Sequence, residues 1–328
     1  MAILVLGGAG YIGSHTVYEL IGAGREVVVA NNLQTGFRKA VHPDAKFYEL
    51  DIRDRAALDA LFEKENIEGV IHFAASSQVG ESMTDPLKYY DNNLCGTACL
   101  LQAMVAHGVD KIVFSSTAAV YGEPERVPIL ESDRTAPTNC YGETKLAMEK
   151  MMKWTGRAHG LRYAALRYFN ASGAHPEGLI GEAHNPETHL IPLILQVPNG
   201  QRKAISVFGT DYDTPDGSCI RDYIHVCDLA RAHILALDYL MNGGESDVFN
   251  LGNGVGFSVW EMIEVARAVT GHPIPAAEEE RRAGDPAVLI ASSEKAAQVL
   301  GWQPVYTRVE DIIADAWRWH SSHPKGFE

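Results

Sequence analysis

The chain has 328 residues, 46% hydrophobic and 21% charged, which suits one large α/β domain or two smaller ones with sizeable cores and excludes a disordered chain. Its 28 Lys and Arg against 42 Asp and Glu leave a formal charge of −14, so the averaged field repels nucleic acid and anionic membranes, and neither is an expected partner. Five cysteines without a C-x-x-C read as reduced thiols, and no apolar run approaches the roughly 20 residues that cross a bilayer, so a cytoplasmic protein is expected.

The first predicted strand, AILVLGG over 2–8, ends in Gly7, Gly10 and Gly13, spaced G-x-x-G-x-x-G, and runs directly into a helix. Such a triplet can be no more than a tight turn. Here it follows the first strand and opens the first helix of a βαβ unit, where glycines let the backbone approach a pyrophosphate and the helix N-terminus offers it free N–H groups. The second strand, EVVVAN over 26–31, ends in Asn31 where an NAD site ordinarily has an acid on the adenosine ribose. Asn lacks the charge-assisted bond, a loss of about 1 kcal/mol. It also lacks the charge that excludes a 2′-phosphate, and Arg38 and Lys39 follow; NAD remains the expected dinucleotide.

Further apolar runs, KFYELDI (46–52), GVIHFAA (69–75), KIVFSS (111–116) and RYAALRYFN (162–170), alternate with helical patterns such as RAALDALFEKEN. Runs without in-out alternation are those of parallel strands covered on both faces. They predict an α/β fold, a Rossmann-like doubly wound parallel sheet over 1–170. From 171 to 328 the rhythm breaks into Gly-, Pro- and His-rich connections and predicts a smaller, substrate-binding lobe, with segments of about 220–265 returning to the first domain. A helix there opens with the capping box Ser258 to Glu261. No H-E-x-x-H or Cys/His cluster has metal-ligand spacing, so no metal is expected.

The strand over 111–116 leads into Ser115, Ser116 and Thr117 at the sheet edge where open α/β folds bind ligands. One loop later NCYGETKLAMEK (139–150) sets Tyr141 and Lys145 one helical turn apart. That spacing alone describes only a shared helical face. At the nicotinamide end of a cofactor, however, a cationic Lys145 and a pyridinium would both favour the phenolate and make Tyr141 a base, with Thr117 holding the substrate oxygen.

The ordered set GGAGYIGSH, HFAASSQVGES, YYDNN, FSSTAAVYG, YGETK, RYFNASGAHP, RDYIHVCDLA, FNLGNG and RRAGDP, spanning nearly the whole chain, resembles the UDP-glucose (UDP-galactose) 4-epimerases of the extended short-chain dehydrogenase/reductase family. The resemblance implies a retained NAD contacted by Gly7, Gly10, Tyr11, Ile12, Gly13, Asn31, Asn32, Asp51, Ile52, Phe73, Ala74, Ala75, Asn92, Ser115, Tyr141, Lys145 and Phe169. It implies a UDP-sugar held by Thr117, Tyr141, Asn170, Leu190, Phe208, Arg221, Arg282 and Asp285, with Tyr141, Lys145 and Thr117 catalytic. The bland readings are surface ion pairs for Arg221 and Arg282 and a helix N-cap for Asp51. Three positions depart from the pattern: Ser77 stands where some members carry a Lys toward the cofactor ribose, His189 where some have Asn near the sugar nucleotide, and Leu289 where a bulkier Tyr restricts the hexose 2-substituent. The last leaves N-acetylated UDP-hexoses open as substrates.

Dehydration, a reaction of related enzymes, needs an acid after Thr117, and Ala118 and Ala119 supply none. A decarboxylase or a C3,C5-epimerising reductase could share the Tyr141–Lys145 pair, whereas a catalytically silent NAD-binding regulator would not need Thr117, Tyr141 and Lys145 together. Apolar residues beyond one stripe on the helices of 92–108 and 141–154 suit either burial within one subunit or a two-fold interface, and the resemblance favours a homodimer.

Overall fold

A computed structural model describes residues 1–282 and 285–328. Strand β1 (Ala2–Leu6) passes through the glycine turn into α1 (Tyr11–Gly22), followed by β2 (Glu26–Asn31), β3 (Lys46–Glu49), α2 (Arg55–Lys64) and β4 (Ile67–His72). Two short helices, α3 (Val79–Thr84) and α4 (Pro86–Tyr89), then lead through a wide turn at Tyr90–Cys95 into α5 (Gly96–Ala106), β5 (Lys111–Ser115), α6 (Cys140–His159) and β6 (Arg162–Arg167).

These strands and a later one form a seven-stranded sheet in which each pairing is parallel. The order reverses between β1 and β4, the switch point that opens a crevice at the strands' C-terminal ends. Helices cover both faces. Val17 and Leu20 of α1 pack on one side and Leu58, Leu100, Met148 and Met152 of α2, α5 and α6 on the other. This is why the strands read as unbroken apolar runs.

Two predicted runs are longer than their strands. KFYELDI leaves the sheet after Glu49, because Asp51 turns the chain by accepting from the Arg53 N–H. RYAALRYFN divides: β6 stops at Arg167, and β7 (Asn170–Ser172) pairs instead with β9 (Ile220–His225) of the second lobe.

That lobe contains α7 (Leu190–Leu195), β8 (Ile205–Phe208) and β9, after which α8 (Val226–Met241) returns to pack against α1. Strand β10 (Asp247–Asn250) joins the large sheet beside β6. Strand β11 (Gly256–Ser258), α9 (Val259–Thr270), β12 (Ala276–Glu279), β13 (Val288–Leu289), α10 (Glu294–Leu300) and α11 (Val309–Ser322) complete the chain. Helix α9 begins with the reciprocal Ser258–Glu261 capping box. Residues of α7, β8, α9 and α11 form a separate apolar core.

Candidate active site

The turn after β1 has no room for side chains. Gly7 has φ +81°, and a Cβ there would lie 2.7 Å from the Ala74 nitrogen, while one at Gly13 would lie 2.3 Å from the Gly7 carbonyl oxygen. Helix α1 is N-capped by Gly10 without a side-chain acceptor and has no acid in its first turn. Its leading N–H groups, those of Tyr11 and Ile12 among them, are left without a side-chain acceptor and suit an anion. A cradle that a Cβ would fill, ending in uncapped N–H groups, fits the pyrophosphate of a dinucleotide.

Along the adenosine side, the Asn31 side-chain oxygen accepts from the Leu33 N–H at 2.7 Å, so only its NH2 is left to donate outward. Asn32 donates to Asp51 at 3.0 Å, and Arg53 grips both Asp51 oxygens. The Arg53 hydrogen bonds hold the Asp51 carboxyl well below the usual range. Asp51 is no N-cap; Asp54 caps α2 by accepting from Ala57. Arg38 lies over the Phe47 ring, 4.5 Å from its centroid, an engagement that competes with any role beside a 2′-phosphate. Ile52 packs against Gly96, and Phe73 against His233 at 4.5 Å between centroids. Ala75 is partly buried after β4, and Ser77 is exposed in the loop that follows.

Asn92 donates to Asn93 at 3.1 Å. The buried Asn93, which sequence reasoning passed over, accepts from the Ser76 N–H, donates to the Ser76 carbonyl and donates to Thr144 of α6. It ties the post-β4 loop to the helix carrying Tyr141 and Lys145. Its only signal in the sequence was the doubled Asn of YYDNN.

Helix α6 starts where Asn139 accepts from the Gly142 N–H at 2.8 Å. This cap sets Tyr141 in the first turn and Lys145 one turn deeper. Lys145 is buried, and its ammonium donates to the Ser115 carbonyl at 2.7 Å and lies 5.8 Å from the Tyr141 ring centroid. Thr117 begins the short turn after β5, its hydroxyl accepting from the Ala119 N–H. The Ser115 hydroxyl is paired with Tyr168 at 2.6 Å. Hydroxyl, phenol and ammonium therefore converge at the sheet's ligand edge.

Their electrostatics differ from the sequence expectation. Burial pushes the Tyr141 phenol up to about 12, with the Thr117 hydroxyl pulling the other way. Burial also brings the Lys145 ammonium down to about 7 against the raising effect of Glu149. Lys145 thus does not by itself make Tyr141 a base. Desolvation acts on both groups, and a positive charge brought by a ligand has to supply the rest.

On the second lobe, Arg221 of β9 lies 3.5 Å from Asp285, and the Arg282 guanidinium stacks 3.9 Å over Phe208 at the end of β8. Ala283 and Gly284 of the RRAGDP motif lie outside the described residues. Arg221 is tucked against the sheet, so the surface-ion-pair reading does not describe it. The Asn170 NH2 donates to the Asp222 carbonyl, linking β7 to β9. Leu289, in register with Arg221, packs with Phe169 against Ala118, Val120, Tyr121 and Leu146. It thereby connects the sugar side to the Thr117 turn. Leu190 opens α7, and His189, the residue before it, is turned into a cluster with Glu182 and Glu187 at 2.9 and 2.8 Å.

The family model described as "NAD dependent epimerase/dehydratase family" matches residues 3–252. The "UDP-glucose 4-epimerase" of Halalkalibacterium halodurans is 61% identical to this chain over 327 residues, covering 100% of this chain and 98% of that protein. A crystal structure of a UDP-glucose 4-epimerase superposes with TM-score 0.99 at 58% identity, covering 100% of both chains. The enzyme of that name from Bifidobacterium longum, solved in complex with NAD+ and UDP, superposes with TM-score 0.94 at 40% identity, again over 100% of both.

Proposed function

Because the chain belongs to the NAD dependent epimerase/dehydratase family, we propose that it interconverts UDP-glucose and UDP-galactose by epimerisation at C4, through a transient 4-keto sugar and with NAD as cofactor. The observation that carries this reading is a half-buried Tyr141 with the buried Lys145 one turn deeper on α6 and the Thr117 hydroxyl bonded to the phenol.

NAD would be held by the turn around Gly7, Gly10 and Gly13, by the N–H groups of Tyr11 and Ile12, and by Asn31, Asn32 and Asp51. A dinucleotide bound there would supply an acceptor and donor for the C4 hydride and a positive charge that favours the phenolate. Thr117 holds the sugar hydroxyl, Tyr141 removes its proton, and the same phenol gives that proton back after the keto sugar has presented its other face. Lys145, anchored on the Ser115 carbonyl, keeps α6 in place and offers a positive charge to the phenolate as it forms. Arg221 and Arg282 suit a diphosphate, because a planar guanidinium can bind two oxygens at once. Ala118 and Ala119 put no carboxylic acid after Thr117 to protonate a leaving hydroxyl, which disfavours dehydration.

The division of labour follows the chain: 1–170 for the dinucleotide, and 171–328 mostly for the sugar nucleotide, with about 220–265 returning to the first domain. A homodimer is part of the same reading. Leu87, Met83 and Trp154, which are 76%, 60% and 62% exposed on α4, α3 and α6, are the apolar side chains that a partner subunit would cover in this reading. No helix among the described residues is long and apolar enough to cross a membrane. A cytoplasmic location goes with this reading as a proposal.

The direct test is to incubate purified protein with UDP-galactose without added cofactor and separate the products. Conversion to a mixture with UDP-glucose is expected; a substrate left unscrambled by dinucleotide-saturated protein overturns the proposal.

A further inference from the structure

The loop before α7 gathers four side chains that neither the dinucleotide nor the sugar reading uses together. Glu182, His184, Glu187 and His189 each present one donor atom, and these atoms lie within 4.8 Å of one another. We propose that they form a closed zinc site that fixes this loop between the phosphate cradle and helix α7.

The four donor atoms crowd one small volume. Both imidazoles aim Nδ1 at the same carboxylate oxygen, Oε1 of Glu182, each at 2.9 Å. Glu187 approaches His189 Nδ1 at 2.8 Å and His184 Nδ1 at 3.7 Å. Bonds of about 2.0 to 2.1 Å in a tetrahedron place donor atoms about 3.3 Å apart, and the four nitrogen–oxygen contacts here, 2.8 to 3.7 Å, bracket that spacing. The two carboxylates are nearly buried, 4% and 8% exposed, whereas the imidazoles are 27% and 46% exposed and form the entrance. Two buried carboxylates side by side need charge compensation. Without a metal the two imidazoles supply it as imidazoliums, held protonated by the carboxylates, and a divalent cation would supply the same two charges in exchange for those protons.

Two nitrogens and two oxygens favour zinc over magnesium and calcium, which take oxygen ligands. Four protein ligands leave no open position, so the role is structural. The surroundings fit such a pin. The His184 ring meets the Tyr11 ring edge-on at 6.1 Å, the Glu182 carbonyl accepts from the Trp319 indole at 3.0 Å, and His189 directly precedes Leu190. Bound zinc would join the cofactor turn, α11 and the first residue of α7 without entering the reaction.

The readout is the metal itself, so it succeeds or fails independently of which sugar is turned over. Protein purified without chelator and assayed by elemental mass spectrometry is expected to hold about one zinc per chain. Chelation should lower the melting temperature and zinc restore it, and cobalt should give the intense visible bands of a four-coordinate ion. His184→Ala and Glu187→Gln should bind zinc at least about 10-fold more weakly. Should either variant fail to fold, the cobalt spectrum of the unaltered chain decides. Wild-type protein that takes up no transition metal, melts alike with chelator and with zinc, or binds zinc no better than His184→Ala overturns the proposal and leaves an ion-pair cluster.

Discussion

Glu149→Gln tests how the buried polar network behind the site supports it. Glu149 of α6 accepts from Arg167 Nε at 2.9 Å and Nη2 at 2.6 Å, and from the Ser116 hydroxyl at 2.5 Å. Both charged side chains are nearly buried, 6% and 7% exposed. Arg167 continues through Tyr121 to Asn250 of the edge strand β10. An amide leaves the guanidinium without its counter-charge and turns one acceptor into a donor. Breaking such a pair from one side costs about 3 to 5 kcal/mol. At about 2.1 cal/mol/K per residue over this length, that is a fall in melting temperature of about 4 to 7 °C in differential scanning calorimetry. Lys145 lies one turn away, and the Glu149 charge raises its pKa against burial. Without it the ammonium loses its proton at lower pH, so the alkaline limb of kcat/KM moves toward acid. The double variant Glu149→Leu with Arg167→Leu should recover much of the lost stability, since it leaves no unpaired charge. A single variant that costs under about 1 kcal/mol, or an alkaline limb that stays in place, refutes this account.

Tyr141→Phe removes the phenol but keeps the ring; turnover should fall about 10²- to 10⁴-fold while dinucleotide content and melting temperature hold, and a parallel loss of both would make the role one of packing. Gly7→Ala sets a Cβ 2.7 Å from the Ala74 backbone at φ +81°, so the purified variant should lose its bound dinucleotide, read from the absorbance ratio at 260 and 280 nm. Lys145→Met bears on pH. The folded value is lowered to about 7 from the ordinary 10.5, so between those limits the unfolded chain holds a proton that the folded chain has released, and wild-type stability rises with pH across that window. Urea unfolding at pH 7 and pH 9.5 should show this rise in wild type and a flatter one in the variant. Trp154→Glu replaces the exposed indole of α6 with a charge and should convert a dimer to monomers by light scattering if that side chain lies in the two-fold interface.

The parts of the molecule legible from the sequence are those whose signal is local. An unbroken apolar run marks a strand covered on both faces, a glycine triplet between strand and helix marks a backbone that cannot carry a Cβ, and Ser258 with Glu261 marks a helix start; each occurs in the structure. The placement of Thr117, Tyr141 and Lys145 at one sheet edge also followed from order along the chain, because open α/β sheets bring successive strand ends to one side. The charge state of the pair did not. It depends on desolvation, which sums contributions from atoms distant in sequence and raises the phenol while lowering the ammonium, so lysine alone does not make the tyrosine a base. Asn93 was missed for a related reason, since its partners Ser76 and Thr144 lie 17 and 51 residues away. The Glu182–His189 cluster lies within eight consecutive residues, yet it matches neither helical i, i+4 spacing nor a cysteine knuckle. Its convergence needs the irregular loop conformation, which no periodicity encodes. The same irregularity sets the tolerance of this loop. Helix α6 can keep its pair in position through one cap and continuous backbone hydrogen bonds, whereas the loop before α7 has few backbone bonds of its own and must take its order from side chains. Substitutions at His184 or Glu187 should therefore loosen the approach to Leu190 while leaving the Tyr141–Lys145 geometry intact.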